Sequence, residues 1–202
     1  MTSDNQLRNE WRSYKCSPEI FETVTIRGRN LQVAPPTIES WKALSEVMAA
    51  HQYEVRKSDT GSYNCRNISG TNTPSLHSYG IAVDVNWNTN PLKRTSDRRP
   101  VRYSHAQTQA ARGDDVRGGR ADTDMTPQMI ADILAIKTKD GDRVFDWGGS
   151  WETIKDAMHF ELDIGPSKLA SHRLVDGQRG RGCGGRGCWQ RDRDRRSPCF
   201  RR

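Results

Sequence analysis

The stretch Tyr79-Gly80-Ile81-Ala82-Val83-Asp84-Val85-Asn86-Trp87 constrains this chain most, because its residues alternate in the manner of a strand. Ile81, Val83 and Val85 share one face, and Ala82, Asp84 and Asn86 share the other. Met158, Phe160 and Leu162 alternate with His159 and Glu161 in the same way, which predicts a last core strand. Phe21 to Val33 reads as a strand or hairpin broken at Gly28, and a short strand is expected within residues 53–74.

Helical spacing is present too. Ile38, Trp41, Leu44, Val47 and Met48 recur every three or four residues, predicting a helix to about His51 with Thr37 as its N-cap. Thr126-Pro127 has the start chemistry of a second helix, with Ile130, Ile133 and Leu134 as its buried stripe. Lys139-Asp140-Gly141-Asp142 reads as a turn into Val144-Phe145. Trp147-Gly148-Gly149-Ser150 reads as a tight connection to a helical turn beginning near Trp151. Strands and helices together predict an α+β fold, a small single domain with a central antiparallel sheet and helices packed against it.

The domain is expected to span 21–172, after a polar lead-in over 1–20, with Pro166 closing its regular structure. Residues 93–125 show no period and read as a long loop, which in a compact domain often borders a site. Residues 173–202 read as a disordered tail. That tail carries ten Arg against three Asp, or +7, which equals the whole formal charge of the chain. Residues 1–172 are therefore formally neutral, which argues against a basic nucleic-acid groove on the domain. The tail itself can be a solvated appendage, a contact for phosphates or a tether to anionic wall polymers.

No run of apolar residues is long enough for a membrane helix. Met1 to Lys15 lacks the apolar core of a secretory signal, so delivery by another route is expected if the protein works outside the cytoplasm. The five cysteines form no CxxC pair, and the spacing of Cys183, Cys188 and Cys199 is irregular for a metal site. A Cys16–Cys65 disulfide is conceivable, though nothing in the sequence requires it.

Of five histidines, His77 and His159 stand beside patterned strands and carboxylates. Two imidazoles and a carboxylate, here Asp84, make a catalytic zinc set with one position left for water. Hydrolysis also needs a base, and Asp156 can supply it if a turn joins it to His159. Each residue has a plainer reading. A buried histidine between Met158 and Phe160 is more often a hydrogen-bonded core residue, and Asp84 can be a cap or ion-pair partner. His51, His105 and His172 have no partner pattern.

Residues 75–86, Ser75-Leu76-His77-Ser78-Tyr79-Gly80-Ile81-Ala82-Val83-Asp84-Val85-Asn86, resemble the SxHxxGxAxDxN signature of the D-alanyl-D-alanine carboxypeptidase and L-alanyl-D-glutamate endopeptidase family. Asp156-Ala157-Met158-His159-Phe160-Glu161 resembles its DxxHFE motif, and Trp147 to Trp151 its WGGxW, both as seen in the phage endolysin branch. The resemblance spans roughly residues 20–165. It implies one zinc ion on His77, Asp84 and His159, with Asp156 as general base. It also implies that Arg66 holds a substrate carbonyl or carboxylate; a solvated loop arginine is the alternative.

Ser75 either contacts substrate or caps the turn before His77. Gly80 and Ala82 would keep bulk away from the metal, Asn86 and Glu161 would orient ligands, with an ordinary ion-pair role equally open for Glu161, and Trp147 and Trp151 would form core or cleft wall. The implied fold is that of the Hedgehog and DD-peptidase group. The implied substrate is the peptidoglycan stem peptide, with L-Ala-D-Glu endopeptidase favoured over D-Ala-D-Ala carboxypeptidase, in a monomeric phage-type lytic enzyme. The rivals are an inactive zinc-containing wall-binding module and a nucleic-acid binder acting through the tail.

Overall fold

A computed structural model of the chain describes residues 2–94, 96, 118–171 and 174–175. His105, His172, Cys183, Cys188, Cys199 and most of the predicted loop and tail lie outside them.

The N-terminal segment is part of the domain. Helix α1 (Asp4–Glu10) starts at Ser3, whose side chain accepts from Gln6 N–H, and Leu7 and Trp11 are fully buried. Trp11 donates its indole N–H to the Ile164 carbonyl at 3.0 Å. Two well-spaced apolar side chains thus suffice to dock a segment that reads as polar overall.

Strands β1 (Glu22–Ile26) and β2 (Arg29–Val33) form the expected hairpin, and Arg27 and Gly28 both take positive φ at its turn. Helix α2 (Ile38–Ala50) buries Trp41, Leu44, Val47 and Met48. Thr37 stands at its N-cap position, as expected, but its side chain makes no capping hydrogen bond. A short 3-10 turn, Pro35–Thr37, precedes the helix, and the Thr37 hydroxyl donates back to Ala34 O. Residues 53–74 hold no strand, only the isolated bridges Gly61↔Asp84 and Asn67↔Pro74.

The central sheet has the order β3 (Ala82–Asp84), β8 (His159–Leu162), β6 (Phe145–Trp147), all antiparallel. Strand β3 is shorter than its pattern suggests. Tyr79 belongs to a 3-10 turn, Leu76–Tyr79, and Asn86 at φ 51° turns the chain away. Both faces are covered, since Ile81, Ala82, Val83, Val85 and Asn86 are all buried. Period-two alternation here separates two kinds of interior rather than core from solvent.

Beside this sheet, β4 (Leu92–Arg94) pairs with β7 (Ile154–Asp156), and the turn Ala157-Met158 joins β7 to β8. Thr126 caps α3 (Pro127–Leu134) by accepting from Met129 N–H. That helix packs against α2 and β6, giving helices on the core side of the sheet. Pro166 opens a further helix, α4 (Pro166–Ser171), as proline can at a first turn. Beyond it β9 (Leu174–Val175) pairs with β5 (Lys137–Thr138). Regular structure therefore runs past both Pro166 and residue 173. Among the described residues no helix is long and apolar enough to cross a membrane.

Candidate metal centre

The register of β3 and β8 places Asp84 opposite His159. Opposed residues of an antiparallel pair project to the same face. His77 reaches that face from the turn before β3, whose first residue is Ser75. Its Oγ accepts from His77 N–H, so Ser75 sits in the capping position. Gly80 then takes φ 67° to release the chain into β3. A Cβ there would meet Ala34 N at 2.8 Å and the Phe21 ring, so its need for glycine comes from backbone packing and not from clearance at a metal.

Three Lewis-basic atoms converge. His77 Nε2 lies 3.2 Å from His159 Nδ1 and 3.2 Å from Asp84 Oδ1, and His159 Nδ1 lies 3.0 Å from Asp84 Oδ1. The far nitrogens fix the tautomers. His77 Nδ1–H donates to the Ser62 carbonyl at 2.6 Å, and His159 Nε2–H donates to Glu161 at 2.8 Å. In the neutral form with these outer N–H bonds, each ring has its inner nitrogen, His77 Nε2 or His159 Nδ1, free to act as a lone-pair ligand, which is the arrangement a metal-binding histidine needs. Both rings and Glu161 are buried. The group His77, Asp84 and His159 can hold a metal ion, its ligand atoms all lying within 4.8 Å of one another.

The charges agree with this. Burial alone would raise the Asp84 carboxyl, but hydrogen bonds from His159 and His77 hold it well below the usual carboxylate range. Burial alone would lower His159, but its bonds to Asp84 and Glu161 keep it well above an ordinary imidazole.

Asp156 behaves differently. It ends β7, and a two-residue turn brings it beside His159. Burial pushes its carboxyl up to about 6, with Asp84 adding to the rise and His159, His77 and Arg66 opposing it. Its Oδ1 is buried with no hydrogen-bond partner. Gly148 allows this approach, because a Cβ there would fall 2.7 Å from Asp156 O and 3.3 Å from His159 Cβ. The group is a carboxylate with unmet capacity facing three metal-ligand candidates, which is what a general base requires.

Arg66 lies on an exposed segment, near enough for its charge to favour the ionised Asp156. Its backbone is fixed by Ser78, whose Oγ accepts from Arg66 N–H and donates to Arg66 O. The neighbouring Cys65 is in a disulfide with Cys16, so the conceivable bridge is formed. Asn86 does not touch the ligands. Its side chain ties the loop after β3 to Arg56 N, Tyr53 and Glu54.

Trp147 is core, its indole N–H bonded to Ala157 O, while Trp151 is half-buried with its ring 5.4 Å from that of His159. Trp151 also donates to Asp146. The Ser62 carbonyl and Gly148 carry no sequence signal for their roles, since one acts through its backbone and the other through a missing side chain. Glu161 was legible by its place two residues after His159. His51 bonds Asp132 at 2.7 Å, away from this centre.

Residues 69–162 match a family model described as D-alanyl-D-alanine carboxypeptidase. The match covers just under half of the chain and contains His77, Asp84, Asp156 and His159. It supports similarity to the zinc peptidases of that family and points to a peptidase. Arg66 lies outside the matched span. No curated protein and no solved structure matches the chain.

Proposed function

We propose that this protein is a zinc-dependent peptidase that hydrolyses a peptide bond in the peptidoglycan stem peptide. The observation that carries the proposal is the pairing of a braced His77–Asp84–His159 group with a half-buried Asp156 beside it, whose Oδ1 is enclosed without a hydrogen-bond partner. The donor set fits zinc, which favours imidazole nitrogen and carboxylate oxygen in three-ligand catalytic sites. Bound there, zinc would polarise the scissile carbonyl and acidify water.

The chain's own groups supply the rest. Asp156 takes the proton of the attacking water and returns it to the departing amine. Arg66 offers a permanently charged fork for a substrate carboxylate or carbonyl. His77 and His159 are held in place by Ser62 O and Glu161, so little reorganisation is needed on binding.

An inactive binding module would gain nothing from an unpartnered carboxylate at Asp156, which favours the enzyme. Within the enzyme reading, the second motif resembles the endolysin branch and favours cleavage between L-Ala and D-Glu, in a lytic enzyme of phage type. The description of the matched family favours removal of terminal D-Ala. Mass-spectrometric analysis of purified peptidoglycan digested with the zinc-loaded chain decides between them. New D-Glu amino termini indicate the endopeptidase, and release of free D-Ala the carboxypeptidase. Absence of any new terminus would refute the wall-peptidase function.

A further inference from the structure

Four large apolar side chains are notably exposed among the described residues: Ile20, Ile68, Trp87 and Leu92. Scattered exposed apolar groups are normal on a protein surface. The placement of Trp87 and Leu92 is not scattered. Leu92 is 52% exposed and lies directly opposite Asp156 in the β4–β7 pair. Opposed residues share a face, so Leu92 and the proposed base project to the same face of the β4–β7 pair.

Trp87 follows Asp84 by three residues and packs against the segment that pairs with it. Gly61 and Asp84 exchange both backbone hydrogen bonds and are therefore also opposed. The Trp87 ring lies over Gly61, with Cζ3 3.5 Å from where a Cβ would stand. The indole thus packs over Gly61, the residue opposite Asp84, while 38% of Trp87 stays exposed. The positive φ of Asn86 turns the chain at this point, and Trp87 N–H is fixed to Asp59 O. The backbone is held while the ring faces water.

Resting on the peptidase proposed above, we infer that Trp87 and Leu92 form an apolar wall of the substrate cleft that recognises the methyl group of an alanine next to the scissile bond. The wall is uncharged, whereas Arg66 contributes a cation from a separate segment pinned by the Cys16–Cys65 disulfide. A substrate that satisfies both has a small aliphatic side chain beside the bond and a carboxylate within reach of Arg66. Stem peptides, built of alanine and acidic residues, have that chemistry.

The test uses the zinc-loaded full chain and two synthetic stem peptides that differ only in alanine or glycine beside the scissile bond. A methyl group in an apolar pocket is worth roughly 10-fold or more in kcat/KM. Wild type is expected to prefer the alanine peptide by about that factor. Trp87→Ala and Leu92→Ser should each erode the preference several-fold through KM, with zinc content unchanged. Trp87→Phe should restore it.

An unaltered alanine preference in both variants would overturn the wall, as would an equal loss on both peptides. If wild type cleaves neither peptide, the peptidase reading fails separately. Calorimetric binding of the two peptides to zinc-loaded protein then tests the wall directly. A preference for alanine that Trp87→Ala abolishes upholds it, and no preference refutes it.

Discussion

The proposed metal-ligand side and the proposed base side of this centre respond to burial in opposite ways. His77 and His159 are enclosed and Asp84 is half-buried beside them: Ser62 O and Glu161 brace the outer nitrogens, and the inner nitrogens and Asp84 Oδ1 meet one another. Asp156, one short turn away from His159, has an enclosed oxygen with nothing to bond and a carboxyl raised to about 6. Fully satisfied polar groups bind and orient; an unsatisfied one keeps its reactivity and costs stability. The difference separates holding a metal from moving a proton.

The largest effect expected from breaking this contrast falls on turnover. Asp156→Ala should lower kcat by on the order of 10²–10⁴-fold while zinc content, measured by atomic emission, stays at the wild-type level.

Next comes stability of the metal-free chain. Below about pH 4 Asp156 is protonated in both folded and unfolded chains and costs nothing. Between there and about 6 the unfolded chain ionises while the fold retains its proton, so stability is lost as pH rises. Above about 6 the full penalty is present, on the order of 3 kcal/mol. Asp156→Asn cannot ionise. Urea unfolding in the presence of a chelator should therefore find it more stable than wild type at pH 7–8, with the gain shrinking toward pH 4.

Much of this centre was legible in the sequence because strand alternation fixes which residues share a face. His159 and Glu161 lie two apart on β8, and Asp84 holds the matching position on β3, so their convergence follows once the strands pair. What sequence could not show was carried by backbone or by distance. Ser62 acts through its carbonyl, Gly148 through the side chain it lacks, and Leu92 through its register with Asp156. The burial of α1 was missed because Leu7 and Trp11 are isolated in a polar segment, so no periodic stripe announces them. Strand β3 was overestimated because Asn86 leaves the extended region, which alternation does not detect.

A smaller effect sharpens the ligand side alone. His159 is braced by a side chain and His77 by a backbone carbonyl, so only the first brace can be removed by substitution. Glu161→Ala should weaken zinc binding by about 10–100-fold in a chelator competition assay. Glu161→Gln should fall between that and wild type, because its amide oxygen still accepts from His159 Nε2–H without the charge. Ser62→Ala should change affinity least, within about twofold, because the carbonyl that His77 uses remains.

The most direct test of the division between holding and catalysing is zinc stoichiometry measured beside stem-peptide hydrolysis in wild type, Asp156→Ala and His159→Ala. The expected result is one zinc ion per chain with hydrolysis in wild type, one ion without hydrolysis in Asp156→Ala, and neither in His159→Ala. Loss of zinc from Asp156→Ala, or hydrolysis by that variant at the wild-type rate, would contradict the assignment of Asp156 as a base standing apart from the metal ligands.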